Sequence, residues 1–485
     1  MSSVKKNFFY QSIYGVLIII LPLLTSPYIA RILGAEKIGI YSYTYSVAYY
    51  FMLIAMLGIK NYGNRVIATV RDNQDSLNKE FSNIFALHAV LSIIAIAAYI
   101  VYCFAFVREN RIYALIQIFW VVGALSDINW FFFGIEKFKL TVTRNTVIKL
   151  ITVASIFIFV HSKEDLWKYI FIMAFGNFVS QSVVWFFLKN YVRFVKPSIT
   201  EMRKHFKPMV VLFIPVIAVS LYKYMDKIML GAMCEKAQVG FYENAEKAIN
   251  IPTSVISAFG TVMMPKMSNL FAKGDQKSGN RYMLLSMELV MCLAIGMSLG
   301  LGAVARPFSV IMWGSEFTEC GVLIFILCVC TIFMAFANIL RTQYIIPQKK
   351  DNIYIVAVCI GAVTNIIVNT ILIPNLQARG AAIGTVCAEG IVCITQAVLL
   401  RKDLPIFTYV KNCVFFIFSG IVMYGFLQLI ENIAGIHFYS LIFEIVVGAF
   451  IYLTMCLIYF IMRKNEVVIA SLKQIRTKMF KQRLF

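Results

Sequence analysis

Charge is what this sequence has least of. Only 14% of its 485 residues are Asp, Glu, Lys or Arg, while 60% are hydrophobic. Soluble domains carry about 25% charged residues, so a soluble globular protein is excluded. Histidines number four (His88, His161, His205 and His437) and are scattered. The eleven cysteines contain no C-x-x-C pair, which removes the usual zinc and haem patterns. Most of them sit in apolar runs, where Cys acts as a small hydrophobe; Cys234 and Cys320 fall in predicted outer loops and offer one pairing. There is no D-x-D, no paired carboxylates in a loop and no glycine motif for a nucleotide. Ten-residue alternating segments, the mark of a membrane β-barrel, are also missing.

What is present are apolar runs near twenty residues, each long enough to cross a hydrocarbon core of ~30 Å. The pattern predicts an all-α polytopic membrane protein with about fourteen spans, at 12–33, 38–58, 82–106, 113–133, 142–160, 167–188, 209–231, 246–265, 283–304, 322–346, 352–373, 380–400, 411–430 and 440–462. The start, "MSSVKKNFFYQSIYGVLIIILPLL", has two lysines and an apolar core but no nearby small-residue cleavage site; it is expected to be an uncleaved first span.

The net charge of +21 reports topology rather than nucleic-acid binding, since no basic face coincides with a nucleic-acid module. With the N-terminus cytoplasmic, inner loops and their flanks hold roughly thirty-one of the 45 Lys and Arg and outer loops about nine. That bias predicts an even number of spans with both termini cytoplasmic. The basic segment 189–208 marks the middle of the chain. The expected organisation is an N-terminal lobe at 1–190 (spans one to six), a cytoplasmic linker at 191–207, a C-terminal lobe at 208–402 (spans seven to twelve), two further spans within 403–462 and a basic amphipathic tail at 463–485. Helical spacing in that tail suits a position on the anionic inner leaflet.

One corner occurs twice. "RILGAEKIGIY" (Arg31–Tyr41) joins spans one and two, and "LGAMCEKAQVGFY" (Leu230–Tyr242) joins spans seven and eight. Pro22 and Pro215 precede the two copies. Six spans separate them, an even number that preserves orientation, so the halves are expected to be parallel repeats. The plainer reading of each Gly is a helix cap.

Charges deep in apolar spans are functional candidates. Arg31 lies close enough to a span end to snorkel or to face a cavity. Lys149 is several turns from either end. Lys223, Asp226 and Lys227 share one helix face at i, i+3 and i+4, as an internal ion pair or a charged cavity site. Arg341, Asp127, Glu288, Glu389 and Glu444 complete the set. Cations dominate near the corners, which favours an anionic cargo; guanidinium grips phosphate bidentately and Lys acts as a point charge.

The stretches "PYIARILGAEKIGIYSYTYSVAYYFMLIAMLG", "DINWFFFGIEKFKLTVTRN", "YMDKIMLG", "VGFYENAEKAINIPTSVISAFGTVMMPKMSNL" and "QYIIPQKKDNIYIVAVCIGAVTNIIVNTILIPNLQARGAAIGTVCAE" resemble the polysaccharide biosynthesis flippases. Their superfamily also holds multidrug and toxic-compound exporters and lipid II flippases. The resemblance implies two six-helix lobes related by pseudo-twofold symmetry around a central cavity, two extra helices and no cofactor. It implies transport of a polyprenyl-pyrophosphate-linked oligosaccharide, usually on undecaprenol, from the cytoplasmic to the outer leaflet of a bacterial cytoplasmic membrane by alternating access. Candidate partners are a polysaccharide polymerase and chain-length machinery. Arg31 and Asp226 match charged positions of that family. Arg31, Lys149, Lys223 and Arg341 are expected to neutralise the pyrophosphate; Asp226, Asp127 and Glu389 are the candidates for proton or sodium coupling. Two rival readings stand beside this one: a multidrug exporter of the same fold, which would present acidic and aromatic groups to cations, and a membrane glycosyltransferase or polymerase, which the short outer loops disfavour.

Overall fold

The computed structural model describes residues 3–463, with side chains from Ile20 onward except that of Tyr222. All regular elements among the described residues are helices. They form two compact units. The first comprises the described residues of Met1–Lys247, Met312–Phe317 and Val358–Ala388; the second those of Ala248–Ile311, Thr318–Ala357 and Glu389–Phe485.

The chain runs through α1 (Ser3–Met56), α2 (Ile59–Val70), α3 (Gln74–Ala105), the short helices α4 (Arg111–Ile116), α5 (Ile118–Leu125) and α6 (Asn129–Gly134), then α7 (Phe138–Phe159), α8 (Leu166–Val183), α9 (Trp185–Leu188) and α10 (Ile199–Met233). It continues with α11 (Lys236–Ala272), α12 (Gln276–Ala303), α13 (Ala305–Trp313), α14 (Thr318–Leu340), α15 (Asp351–Leu400), α16 (Ile406–Ala434) and α17 (Phe438–Met462). Twelve helical stretches among the described residues are long and apolar enough to cross a membrane. Two of them, Ile20–Val70 and Asp351–Leu400, run 51 and 50 residues. A straight helix of that length would reach ~75 Å, more than twice the ~30 Å core, and each is interrupted. Counting the stretch Arg111–Gly134, which α4, α5 and α6 make up together, the described residues give the expected fourteen segments.

The interruptions have local causes. Gly34 sits at φ 75°, ψ 174°, a conformation that favours glycine, and the next amide, Ala35 N–H, donates to Glu316 Oε1 at 2.8 Å. In α15 the break is at Gln377 (φ 50°), three residues after Pro374, whose missing N–H weakens the preceding turn.

Three expectations need correction. Span 113–133 is not one helix: α4, α5 and α6 replace it, and Asp127 lies in the gap before α6, where its Oδ1 accepts the Asn129 N–H at 3.0 Å. Span eight, expected at 246–265, begins at Lys236 and ends at Ala272, because polar residues on one face of a helix that packs against protein lower its apparent hydropathy. Cys234 and Cys320 are free thiols, as are all eleven cysteines. The amphipathic tail, apart from Arg463, falls outside the described residues.

The basic middle segment is extended before α10, and α3 holds it. Arg193 N–H donates to Asn78 Oδ1 (2.9 Å), Val195 N–H to Ser82 Oγ (3.0 Å) and Ser198 N–H to Asn83 Oδ1 (2.8 Å). The first two bonds match because four residues of helix rise ~6 Å and two of extended chain ~6.6 Å. Beneath it, Phe81, Trp130, Phe131 and Phe132 make a fully buried aromatic core.

The second unit packs a methionine-rich core, including Met267, Met283, Met287 and Met291, around Phe336 and Phe416. Lys350 and Asp403 tie the turn before α15 to the turn before α16 at 2.6 Å; that bond holds the Lys350 ammonium above its ordinary pKa. Glu444 of α17 is fully buried, and neither carboxyl oxygen has a hydrogen-bond partner among the described residues. An unsatisfied buried polar group costs ~1–3 kcal/mol. Glu444→Met is therefore expected to raise the thermal midpoint of the detergent-solubilised protein; a lower midpoint would show that Glu444 is satisfied in the membrane.

Candidate functional site

The hairpin of α10 and α11 sets Asp226 and Lys227 opposite Tyr242 and Glu243 in the first unit. Asp226 is 1% exposed. Its carboxylate accepts from the Tyr242 hydroxyl (2.6 Å), the Thr385 hydroxyl (2.6 Å) and the Asn369 amide (2.5 Å). The break at Gln377 is what brings Asn369 and Thr385, from opposite arms of α15, to the same carboxylate. Asn369 Nδ2 also donates to Asn365 Oδ1 at 3.2 Å, while Asn369 Oδ1 is buried without a partner among the described residues.

Lys227, the next residue, turns the other way. Its Nζ lies 2.6 Å from Glu243 Oε2 and 2.6 Å from Glu246 Oε2. Glu243 also accepts the Ser42 hydroxyl at 2.8 Å and faces Lys247 at 3.5 Å. The internal partners of Lys227 are thus on α11 and not Asp226. Lys223 is exposed on α10. Tyrosines crowd the same region: Tyr49 stacks on Tyr224 at 3.9 Å, and Tyr45 meets Trp120 edge-on at 4.9 Å.

The two copies of the repeated corner pack on each other. Gly39 lies against the Lys236 carbonyl and Gly240 against the Ala35 carbonyl, each so close that a Cβ would overlap the oxygen. Gly231 lies likewise against the Tyr43 ring. The Lys236 ammonium caps the Gly231 carbonyl and sits 4.1 Å from the Tyr43 ring centroid. Gly39 and Gly240 are required by contact between backbones and Gly231 by contact with a ring, beyond the cap at Gly34. Arg31, just before the first corner, is exposed.

Lys149 lines a cavity of about 350 Å³ in the first unit, with Trp120, Asn145, Asn177, Gln181 and Glu243 among its walls. Of the four cations expected to meet the pyrophosphate, Lys149 alone lines it. Asp127 reaches its edge indirectly: it accepts from Asn129 Nδ2 at 2.6 Å, and Asn129 Nδ2 donates on to Gln181 Oε1 at 2.7 Å.

Arg341 and Glu389 belong to the second unit. Arg341 opens a π-helical turn (Arg341–Ile345), donates to the Tyr354 hydroxyl at 3.3 Å and lies 5.2 Å from that ring's centroid. The same unit holds a separate cavity of about 440 Å³, walled by apolar residues such as Leu293, Met297, Phe308 and Met423. Among the described residues no three His, Cys, Asp or Glu side chains converge as a metal cluster.

Sequence reading missed Glu243, Glu246, Asn177, Gln181, Asn369 and Thr385. The two glutamates had a signal, the i, i+3 spacing in "YENAEKAIN", hidden by starting span eight ten residues late. Neutral amides in apolar helices carry no comparable signal.

Comparison with known proteins agrees with this architecture. A putative O-antigen transporter of Escherichia coli (strain K12) is 22% identical over 409 residues, covering 83% of this chain and 97% of that protein. A probable low-salt glycan biosynthesis flippase, Agl15 of Haloferax volcanii, is 24% identical over 326 residues, covering 66% of this chain and 67% of that protein. Among solved structures, the lipid II flippase MurJ in an inward closed conformation superposes with a TM-score of 0.73 at 16% identity, over 93% of this chain and 99% of MurJ. An inward-facing multidrug resistance MATE transporter gives 0.59 at 13% identity, over 82% and 99%. The polysaccharide biosynthesis protein family matches residues 4–271, more than half of the sequence, and the chain belongs to that family.

Proposed function

We propose that this protein is a flippase that carries polyprenyl-pyrophosphate-linked oligosaccharide repeat units from the cytoplasmic to the outer leaflet by alternating access, for surface polysaccharide synthesis. It works in the cytoplasmic membrane with both termini inside, as the basic loops favour, and it hands its cargo to a polymerase and chain-length machinery. The lobes 1–190 and 208–402 are its moving halves. The reading draws on the transporter and flippase names of the relatives above.

One observation carries it. Lys149 is a half-buried ammonium at mid-span, in a polar cavity, with no carboxylate paired to it among the described residues. A cation kept in such a place calls for an anionic cargo. The apolar cavity of the second unit offers pyrophosphate and sugar nothing, so the polar load belongs with Lys149. Arg31, Lys223 and Arg341 add positive charge along the path. Outward movement of negative charge is favoured by about 2.3 kcal/mol per charge per 100 mV.

Ion coupling is assigned to Asp226, with Asp127 and Glu389 as the other carboxylates of the transport cycle. The donor set around Asp226 suits a hard monovalent cation: a carboxylate, the Thr385 hydroxyl and the unpartnered Asn369 Oδ1 are all oxygens.

Lys149→Ala is expected to lower flipping of lipid-linked repeat units about tenfold or more, equivalent to ~1.4 kcal/mol, at unchanged protein level, with Lys149→Arg retaining part of it. Wild-type flipping in Lys149→Ala would remove this cavity from the path. The multidrug reading predicts instead that overexpression confers resistance to cationic drugs.

A further inference from the structure

The lining of the cavity around Lys149 combines two chemistries, polar and aromatic. Its polar floor follows from helix spacing. Asn145 and Lys149 are four residues apart on α7, and Asn177 and Gln181 four apart on α8, so each pair shares a face.

The floor amides are held in one orientation. Asn145 Oδ1 accepts from Arg144 Nη2 (2.6 Å) and from the Ser180 hydroxyl (3.0 Å). Gln181 Oε1 accepts from Asn129 Nδ2, and Asn129 Oδ1 accepts from Arg144 Nη2 at 3.0 Å. With those oxygens engaged, the amide N–H groups are what Asn145 and Gln181 have left to offer. None of the described residues hydrogen-bonds the Asn177 amide. Glu243 reaches the cavity wall, but Lys227 and Ser42 occupy its carboxylate. Lys247, the second ammonium of the lining, is taken up by Glu243 at 3.5 Å and by Asn244 Oδ1 at 3.1 Å, so the floor presents the Lys149 ammonium and more donors than acceptors.

Aromatic rings also line the cavity: Trp120, Tyr41 and Tyr169, with Tyr41 meeting Tyr169 edge-on at 4.9 Å. Ring faces cover the C–H face of a pyranose; a donor-rich floor takes phosphoryl and ring oxygens. A bare anion would leave the aromatic wall unused, and a neutral sugar would leave Lys149 uncompensated. A sugar bearing a phosphate at its anomeric carbon uses both. The volume equals that of about twelve waters at ~30 Å³ each, enough for one such residue.

Resting on the function proposed above, we propose that this cavity is a glycosyl-phosphate subsite that reads the first sugar of the cargo. Lys149 takes a phosphoryl oxygen. Asn145, Asn177 and Gln181 read the ring substituents, and Trp120 and Tyr169 cover the ring. Asn129 and Arg144 are positioning residues that fix which amide edge faces the ligand.

The test uses the full chain in lipid nanodiscs and follows Trp120 emission, with Trp120→Phe subtracted to remove the other four of the five tryptophans. Probes are a panel of hexose and N-acetylhexosamine 1-phosphates, inorganic phosphate and free hexoses. At least one sugar 1-phosphate is expected to bind about tenfold tighter than inorganic phosphate or any free sugar. Asn177→Ala and Gln181→Ala should each erase that margin and leave inorganic phosphate binding as it was. Asn129→Leu, which frees the Gln181 amide to rotate, should shrink the margin and leave inorganic phosphate binding as it was. Inorganic phosphate binding as tightly as every sugar phosphate overturns the proposal, as does a margin that survives in both Asn177→Ala and Gln181→Ala. Flipping assayed on the same wild-type preparation separates the two claims: flipping without a margin overturns the subsite alone, and a margin without flipping overturns the transport reading.

Discussion

Lys227→Met is expected to destabilise the protein by about 3–5 kcal/mol, the largest effect of any single substitution proposed. Lys227 is buried and is gripped at 2.6 Å by both Glu243 and Glu246. Its removal leaves two carboxylates side by side, with only Lys247 at 3.5 Å from one of them. Breaking such a cluster by one member is far worse than replacing it entirely, because the loss is mostly the isolation of the remaining charges. The triple variant Lys227→Met, Glu243→Gln, Glu246→Gln should therefore recover most of the lost stability. Thermal unfolding in detergent measures both. A Lys227→Met protein as stable as wild type would mean that water already solvates the two glutamates.

The second large effect is on transport rather than stability. Gly39→Val or Gly240→Val puts side-chain atoms where the Lys236 or Ala35 carbonyl now sits. Overpacking of this kind costs ~1–3 kcal/mol, and here only in the state with the two corners in contact. That shifts the balance toward separated corners by about 5–150-fold. Flipping should fall accordingly, while Cys234, in the turn of the second corner, should react faster with a maleimide than in wild type. Mass spectrometry of the Cys234 peptide resolves it from the other ten cysteines. Unchanged labelling with normal flipping in both variants would show that the corners need not meet during transport.

The helical architecture was legible in the sequence because bilayer thickness imposes a length on every crossing, and apolar runs of that length are hard to miss. The repeated corner was legible too, but as a topological sign only. Nothing in "RILGAEKIGIY" says that Gly39 meets Lys236 across two hundred residues, since a glycine at a helix end has a sufficient local reason to exist. The charged residues divide in the same way. Asp226 stood out, being an acid in oil, yet its partners Asn369 and Thr385 did not, because amides and hydroxyls are tolerated in membrane helices through bonds to their own backbone, as Thr385 also makes to Ala381 O at 3.1 Å. Glu243 was hidden by a boundary: charge lowers the hydropathy that defines a span, so a charged helix start reads as a loop. Arg31 shows the limit from the other side. It was singled out by its position, and the structure shows only that its side chain is exposed.

The extended segment on α3 has a mechanical consequence. A tether fastened at Arg193, Val195 and Ser198 has no slack: sliding it by one residue would turn every bonded amide to the wrong side, so it moves as a whole or not at all. The first turn of α10 is thereby slaved to α3. Any swing of the far end of α10, where Asp226 and Lys227 sit, must then be taken up as bending inside that helix. The compliance is built in at Pro208 and Pro215, each of which deletes a backbone hydrogen bond and softens the helix around it. In this design α10 is a lever clamped at its root, flexible in its lower half and loaded at its tip.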